Sequence, residues 1–369
     1  MHSLTRRYRV GLIAGTVLAL ALGTAGCGQK AGGGSQNASV AQGFKVGFLL
    51  PEDKTTHYEE FDVPNMKRYV RDLCAKCEVV SLNAQQKADV QQTQADTLLT
   101  QGVKVLILDA VDYKSANSIV RKAKDQNVPV VAYDRFASGP VDYFVTFDNR
   151  KVGEKQGEAL LKAVSAGGDP KRGQVVMING SPTDPNAAEY KAGAHSVLDG
   201  KVNIGREFDT PDWSPDKAND EMTQAITALG KDKIIGAYAA NDGTASGAIA
   251  ALRSAGANPI PPVTGQDAEL AAVQRVIEGS QYMSVYKPYG QEAKVAAAMA
   301  VAVAQGKEYD GPTKELTNDS GDTVPSVLLP VYTMTKDQVK NTVIKDGLYT
   351  AAQICVGRYA TFCQQLGIG

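Results

Sequence analysis

The sequence lacks any excess of charge of one sign. Its 369 residues include 39 Lys+Arg and 40 Asp+Glu, which gives a formal net charge of −1. A surface that binds nucleic acid or another acidic polymer needs a clear excess of basic residues. The composition therefore argues against nucleic acid as a partner, and it is compatible with an uncharged ligand.

The sequence also lacks the common catalytic and nucleotide-binding motifs. It contains no P-loop, no GxSxG elbow, no HExxH and no GxGxxG after a predicted strand. The carboxylates Asp134 and Asp148 could hydrolyse a glycoside if they flanked one bond, which is the enzymatic alternative. We predict a protein that is not an enzyme and that uses no cofactor and no metal ion.

Apolar runs of transmembrane length are absent after residue 27. Before it, Arg6, Arg7 and Arg9 precede an apolar stretch over 10–22 and then a small-residue segment that ends at Cys27. This order is typical of an export signal. Thr-Ala-Gly-Cys resembles a lipobox, so we predict a lipoprotein signal over 1–27 with Cys27 as the lipidated residue. A plain secretory signal and the twin-arginine route are the alternatives.

The segment 28–43 is rich in Gly, Ser, Ala and Gln. Such a composition cannot bury a core and predicts a flexible tether. A lipid anchor followed by a tether and a globular body predicts a protein held on the outer face of the cell membrane, or in the periplasm.

Cysteine is scarce, with five residues in the chain. Setting Cys27 aside leaves an even four, which predicts disulfides in an oxidising compartment. We favour the local pairs Cys74–Cys77 and Cys355–Cys363, because loop closure is easiest between near neighbours. A four-Cys zinc site and a redox-active Cys74–Cys77 pair are the alternatives.

The segments that are present alternate between strands and helices, which predicts βαβ units and parallel sheets. Several apolar strands end abruptly in polar residues, and such strands read as buried on both faces. In open α/β sheets, ligands bind in the crevice at the carboxyl ends of the strands. The pattern therefore predicts a binding site for a small polyol, built from VPVVAYDRF (128–136), DYFVTFDNR (142–150), IIGAYAANDG (234–243), PVTGQDAE (262–269) and YMSVYKP (282–288).

These motifs resemble the periplasmic sugar-binding proteins of ABC importers that share the ribose-binding type of fold, and the xylose-binding members most closely. The resemblance runs from residue 44 to about residue 349. It is carried by AYDRF (132–136), TFDNRKVGEKQ (146–156), NGSPTDPNA (179–187), DWSPDKA (212–218), ANDGTASGAI (240–249), GQDAEL (265–270), VYKP (285–288) and VIKDGLY (343–349).

The resemblance implies an α/β fold of two Rossmann-like lobes joined by a three-crossing hinge, the type I periplasmic binding protein fold. It places the N-terminal lobe at 44–147 plus 284–324 and the C-terminal lobe at 148–283 plus 325–369. The chain would be a monomer that delivers a monosaccharide to an ABC permease. Carried over by position, the implied sugar contacts are Asp134, Arg135, Asp148, Asn149, Trp213, Asn241, Asp267 and Lys287.

One position departs from the pattern of the xylose-binding members. Where they have Arg followed by Trp, this chain has His57-Tyr58, which we include among the candidate contacts. Loss of a permanent cation with a planar fork of donors bears on the choice of sugar. D-xylose is the expected ligand, with glucose, galactose and arabinose as alternatives, and a sensing receptor that feeds a membrane signalling protein is the alternative function.

Structural roles compete with binding at several of these residues. Asp148 or Asn149 can cap the helix predicted to begin near residue 151, and Asn241 can cap the next helix in the same way. Trp213 is the only Trp in the chain. Because it lies in a polar loop rather than an apolar stretch, we predict that it stacks on the C–H face of a sugar.

Overall fold

The computed structural model describes residues 37–369. The predicted signal with Cys27, and most of the predicted tether, lie outside the described residues. The last part of that tether, residues 37–43, packs against the globular body. Ala38 donates a backbone hydrogen bond to Ala304, and the Ala38 and Val40 side chains contact the first hydrophobic core. The prediction of a free tether up to residue 43 is therefore wrong at its C-terminal end.

The described residues form strands that alternate with helices through most of the chain. The strands are β1 (Lys45–Leu50), β2 (Glu78–Asn83), β3 (Val105–Leu108), β4 (Val130–Tyr133), β5 (Tyr143–Phe147), β6 (Gln174–Asn179), β7 (Ile204–Asp209), β8 (Ile234–Ala239), β9 (Ser284–Tyr286), β10 (Lys314–Thr317), β11 (Thr323–Leu329) and β12 (Tyr332–Met334).

The helices follow the strands in the order expected for βαβ units. They are α1 (Val63–Leu73, preceded by a π-helical turn over Tyr58–Asp62), α2 (Ala88–Thr100), α3 (Asn117–Asp125), α4 (Asn149–Ala166), α5 (Pro185–Leu198), α6 (Pro215–Leu229), α7 (Asp242–Ser254), α8 (Leu270–Glu278), α9 (Tyr289–Ala304), α10 (Ala351–Ile354) and α11 (Tyr359–Gln365).

The first sheet has seven strands in the order β10-β11-β5-β4-β3-β1-β2. All neighbouring pairs are parallel except β10 and β11. Every residue of β3 and β4 is buried, as expected for strands with helices on both faces. One core cluster packs α1 and α9 against one face, and another packs α2 and α3 against the other.

The second sheet has the parallel strand order β7-β6-β8. It is extended by single bridges from Ala237 to Val263 and from Gln266 to Val285. The segment 263–265, predicted as a strand, forms only the first of these bridges. Strands β9 and β12 pair antiparallel beside it. Helices α4 and α5 pack together on one side, and α6 and α7 pack together on the other.

The chain passes between the two sheets at three places. The first lies between β5 and α4, the second between β9 and α9, and the third between β11 and β12. The segment 326–333, predicted as one strand, is two strands in different sheets, with Pro330 between them. Strand pairing thus moves the predicted lobe boundaries, because 284–286 belong with the second sheet and 323–329 with the first.

Both predicted disulfides are present, Cys74–Cys77 after α1 and Cys355–Cys363 in the C-terminal tail. The tail packs on α8 and contributes Ile354 to a separate hydrophobic cluster. Within residues 37–369, no helix has both the length and the apolar character needed to cross a membrane.

Candidate ligand-binding site

A polar cavity lies where the carboxyl ends of the strands of both sheets meet. About 20 Å³ of it is open to a water-sized molecule. Eight of the ten residues predicted as sugar contacts line it, although they are spread over 230 positions of the sequence, from 57 to 287. The complete lining is Thr55, His57, Tyr58, Asp134, Arg135, Asp184, Tyr190, Trp213, Asn241, Gln266, Asp267 and Lys287.

Arg135 joins the two walls of the cavity. It follows β4 of the first sheet, and its guanidinium is almost fully buried. Arg135 Nε lies 3.0 Å from Asp184 Oδ2, which follows β6 of the second sheet, and 3.5 Å from Asp109 Oδ1. Arg135 also donates to the Tyr58 hydroxyl at 3.0 Å. Burial raises the pKa of the Asp184 carboxyl, and the charge of Arg135 opposes that shift.

Asp134 is a buried carboxylate that faces the cavity without a cation partner among the described residues. It accepts only long hydrogen bonds, from the Tyr58 hydroxyl at 3.4 Å and from the Asn186 amide at 3.3 Å. Its backbone has a φ of +54°, which is uncommon for a residue other than Gly and often marks a functional position. Asp134 therefore has oxygen lone pairs available for ligand hydroxyl groups.

Lys287 and Asp267 form a second buried ion pair. Their Nζ and Oδ1 atoms are 2.8 Å apart, and both side chains are about 3% exposed. The Tyr289 hydroxyl also donates to Asp267 Oδ1, at 3.2 Å. Burial alone would lower the pKa of the Lys287 ammonium, but the neighbouring Asp267 raises it and the result lies above its ordinary value. Asp267 has a φ of +95°, so its backbone is also strained.

Trp213 and Asn241 reach the cavity from the second sheet. Trp213 is 4% exposed, and its Nε1 donates to Asp184 Oδ2 at 3.2 Å. Asn241 caps α7, because its Oδ1 accepts the backbone N–H of Thr244 at 2.8 Å. The cap occupies the amide oxygen, which leaves the NH₂ group of Asn241 to donate to a ligand.

Asp148 and Asn149 do not line the cavity, contrary to the prediction. Asp148 Oδ1 accepts the backbone N–H of Lys151 and caps α4. Asn149 donates to Asn186 Oδ1 at 2.8 Å, and Asn186 in turn contacts Asp134. Both predicted residues lie in an adjacent, more open crevice, where Asn149 supports the cavity wall from behind.

Four lining residues were not among the predicted contacts, namely Thr55, Asp184, Tyr190 and Gln266. Asp184 lies in NGSPTDPNA and directly precedes Pro185, and its Oδ1 caps α5 by accepting the backbone N–H of Asn186. An Asp at that position is fully explained as an N-cap. The sequence therefore gave no indication that its second carboxylate oxygen would line the cavity. Gln266 adjoins the predicted Asp267 and could have been found from the strand-end rule.

Further carboxyl groups lie buried behind the cavity in the first lobe. His57 Nδ1 lies 2.7 Å from Asp62 Oδ2, and the Tyr133 hydroxyl donates to Asp62 Oδ1 at 2.8 Å. The Glu292 carboxyl is 1% exposed, and its Oε1 has no hydrogen-bond partner among the described residues. Burial, and then the charge of Asp134, raise the pKa of Glu292 well above its ordinary value.

Two α/β lobes that enclose a small polar cavity at the ends of their strands define the class of two-lobed solute-binding proteins. Residues 46–308 match the periplasmic binding protein domain family, and the chain belongs to that family. The fold is the type I periplasmic binding protein fold. This confirms the family and the fold class predicted from the sequence.

The relatives are sugar-binding transport proteins. The D-xylose-binding periplasmic protein of Escherichia coli K12 is 33% identical over 323 residues, which cover 86% of this chain and 94% of that protein. The D-xylose-binding periplasmic protein of Haemophilus influenzae is also 33% identical, over 76% of this chain and 83% of that protein.

A solved structure supports the same assignment. An ABC transporter solute-binding protein from Clostridium phytofermentans with bound β-D-glucose superposes with a TM-score of 0.78 at 29% identity, over 84% of this chain and 99% of that chain. This chain is therefore a sugar-binding, extracytoplasmic protein of the ABC-transporter type. The relatives are not enzymes, which agrees with the predicted absence of catalysis.

Proposed function

We propose that the chain binds one monosaccharide, D-xylose by preference, in the cavity between its lobes and delivers it unchanged to an ABC permease. The observation that carries the proposal is the convergence of eight predicted sugar contacts on one cavity.

The chemistry of the lining suits a pyranose. Asp134 accepts hydrogen bonds from hydroxyl groups, and Arg135, Lys287 and Asn241 supply donors to the same oxygens. Charged partners strengthen such bonds in a site closed to water. Trp213 offers an aromatic face to the apolar C–H groups of the ring.

The choice of sugar rests on the relatives and on His57. Two relatives that are 33% identical bind D-xylose by name, which favours that pentose. The structure with bound β-D-glucose makes D-glucose the second candidate. His57 is held by Asp62 on one ring nitrogen, so it can offer the ligand one hydrogen bond, whereas an Arg offers a fork of several.

Calorimetric titration with D-xylose, D-glucose, D-galactose and L-arabinose tests the proposal. D-xylose is expected to bind tightest and to be recovered unchanged. Tighter binding of D-glucose would transfer the assignment to the second candidate, and no heat with any monosaccharide at millimolar concentration would refute the proposal. Asp267→Asn, which leaves Lys287 without its anionic partner, should weaken binding, whereas Asp232→Asn at an exposed position should not.

We propose that sugar binding draws the lobes together about the three crossings. Contacts that join the two lobes, such as Arg135–Asp184 and Tyr289–Asp267, support a closed form. A ligand that contacts both lobes shifts the population towards closure. With the observed pairing, the lobes are 44–147 plus 288–329 and 148–287 plus 330–369. Small-angle scattering should show a smaller radius of gyration, and a monomer, when the sugar is added.

We propose that Cys27 anchors the protein to the cell membrane as a lipoprotein. The support is the lipobox-like Thr-Ala-Gly-Cys at the end of the apolar stretch. Cys27→Ser should move the protein from the membrane fraction to the soluble extracytoplasmic fraction.

Deleting the gene should abolish uptake of the bound sugar if the protein serves transport. Preserved uptake with loss of a sugar response would instead assign the protein to sensing.

A further inference from the structure

The indole of Trp213 is held by a sharp turn of the backbone and by two neighbouring side chains. Asp212 and Trp213 both have left-handed backbones, with φ of +59° and +53°, which delivers the side chain to the cavity from a sharp turn. The indole Nε1 donates to Asp184, and the ring of Tyr190 meets it edge-on at a centroid distance of 6.3 Å. All of these groups belong to the second lobe, so the position of the indole does not depend on contacts across the cleft.

Gly180 lies directly against this indole. It follows β6, and a Cβ atom built on it would lie 2.6 Å from Cζ3 of Trp213 and closer still to Cζ2 and Cη2. Carbon atoms that are not bonded do not approach so closely. The backbone of Gly180 is not in the left-handed region, so its conformation is open to residues other than glycine. Glycine is needed here because the indole occupies the space that a side chain would take.

We propose that Gly180 positions Trp213 for sugar binding, because only a residue without a side chain lets the indole seat at this depth. Gly180 itself does not line the cavity, so it acts through Trp213 rather than by touching the ligand. Any larger residue at 180 displaces the ring from the place where it meets the sugar. The inference rests on the proposed function for its ligand, but the Gly180–Trp213 contact can be tested without one.

The test is a double-mutant cycle with Gly180→Ala and Trp213→Phe. Phe keeps an aromatic face but lacks the outer atoms of the indole that meet residue 180. Gly180→Ala should lower the affinity for the preferred monosaccharide at least tenfold by calorimetry, and it should shift the emission of the single Trp. In the Trp213→Phe background, the same substitution should change the affinity less than twofold.

Gly290→Ala is the matched control, since its added Cβ would meet no atom nearer than 3.7 Å. It should leave affinity and emission unchanged. Equal losses from Gly180→Ala in both backgrounds, or unchanged emission and affinity, would overturn the proposal. If Gly180→Ala alone does not fold, Trp213→Phe should restore folding, and failure to restore it would also count against the proposal.

Failure of the proposed function gives a different result. If the unmodified protein binds no monosaccharide, the thermal-stability cycle of the same four proteins still reports on the contact. If the effects of the two substitutions on stability are coupled, and the emission shifts, the positioning role of Gly180 is supported. Only the proposal that the ligand is a monosaccharide is then refuted.

Discussion

Replacing Asp184 by Asn tests the ion pair that spans the cleft. Asp184 Oδ2 lies 3.0 Å from Arg135 Nε on the opposite lobe, and the two side chains are 4% and 1% exposed. Asn has nearly the same shape and is as good an N-cap as Asp, so α5 keeps its cap. With Oδ1 kept for the cap, the Asn NH₂ group replaces Oδ2, so the substitution removes the charge and also the hydrogen bond that Trp213 Nε1 donates to Oδ2.

The expected loss follows from the burial of Arg135. Removing one partner of a buried pair costs about 3–5 kcal/mol, because the other charge is left unpaired. Arg135 keeps the Tyr58 hydroxyl, and Asp109 lies at 3.5 Å, so the lower end, about 3 kcal/mol, applies. In an open form both groups reach water. The substitution therefore destabilises the closed form more than the open form. Because the sugar binds to the closed form, we expect about a hundredfold weaker sugar binding.

Thermal denaturation with and without sugar measures this directly. At a sugar concentration about 1,000 times Kd, the ligand stabilises the unmodified protein by about 4 kcal/mol, and a hundredfold loss reduces this to about 1.4 kcal/mol. Without sugar, Asp184→Asn should change Tm little. Asp232→Asn, at an exposed pair, is the charge-matched control. Equal destabilisation with and without sugar, or unchanged affinity, would refute the reasoning.

Three further outcomes are expected. Burial raises the pKa of Glu269 to about 8, and this carboxyl accepts the Thr56 backbone N–H across the cleft. Closing the lobes over the sugar then protonates the Glu269 carboxyl, and closure becomes less favourable as the pH rises. Sugar affinity should therefore fall about tenfold or more between pH 5 and 8 in titrations, and Glu269→Gln should flatten this dependence. Glu292, whose folded pKa is raised, destabilises the fold progressively above pH 4.5, so Glu292→Gln should raise Tm at pH 8 but not at pH 4. Replacing Cys355 and Cys363 by Ala should lower the free energy of unfolding by about 2.5 kcal/mol in urea titrations, from the entropy of the short loop; an unchanged midpoint would contradict this.

Much of the site follows from local sequence signals. Asp134 and Lys287 each come directly after an apolar strand, and parallel strands bring their carboxyl ends to one edge of a sheet. Trp213 was predicted because it lies in a polar loop, and its indole lines the cavity while also packing in a hydrophobic cluster of the second lobe. These patterns depend only on the few residues on either side, so they can be recognised without knowledge of the fold.

At other positions, the same sequence pattern is compatible with a helix cap alone and with a helix cap that also lines the site. Asp148 and Asp184 both precede a helix and both cap it. Only Asp184 also turns an oxygen to Arg135, because the loop after β6 faces the opposite lobe. Nothing near either residue in the sequence distinguishes the two cases.

By itself, the sequence determined the alternation of strands and helices, the family, and the residue types gathered for a hydroxyl-rich ligand, because these depend on short-range periodicity and motif. Only the tertiary structure decided that residues 326–333 divide between two sheets, that Arg135 is shared by two lobes, and that Gly180 makes room for Trp213. Each of these depends on contacts between segments that are remote along the chain, and strand register and side-chain packing are settled only when those segments meet.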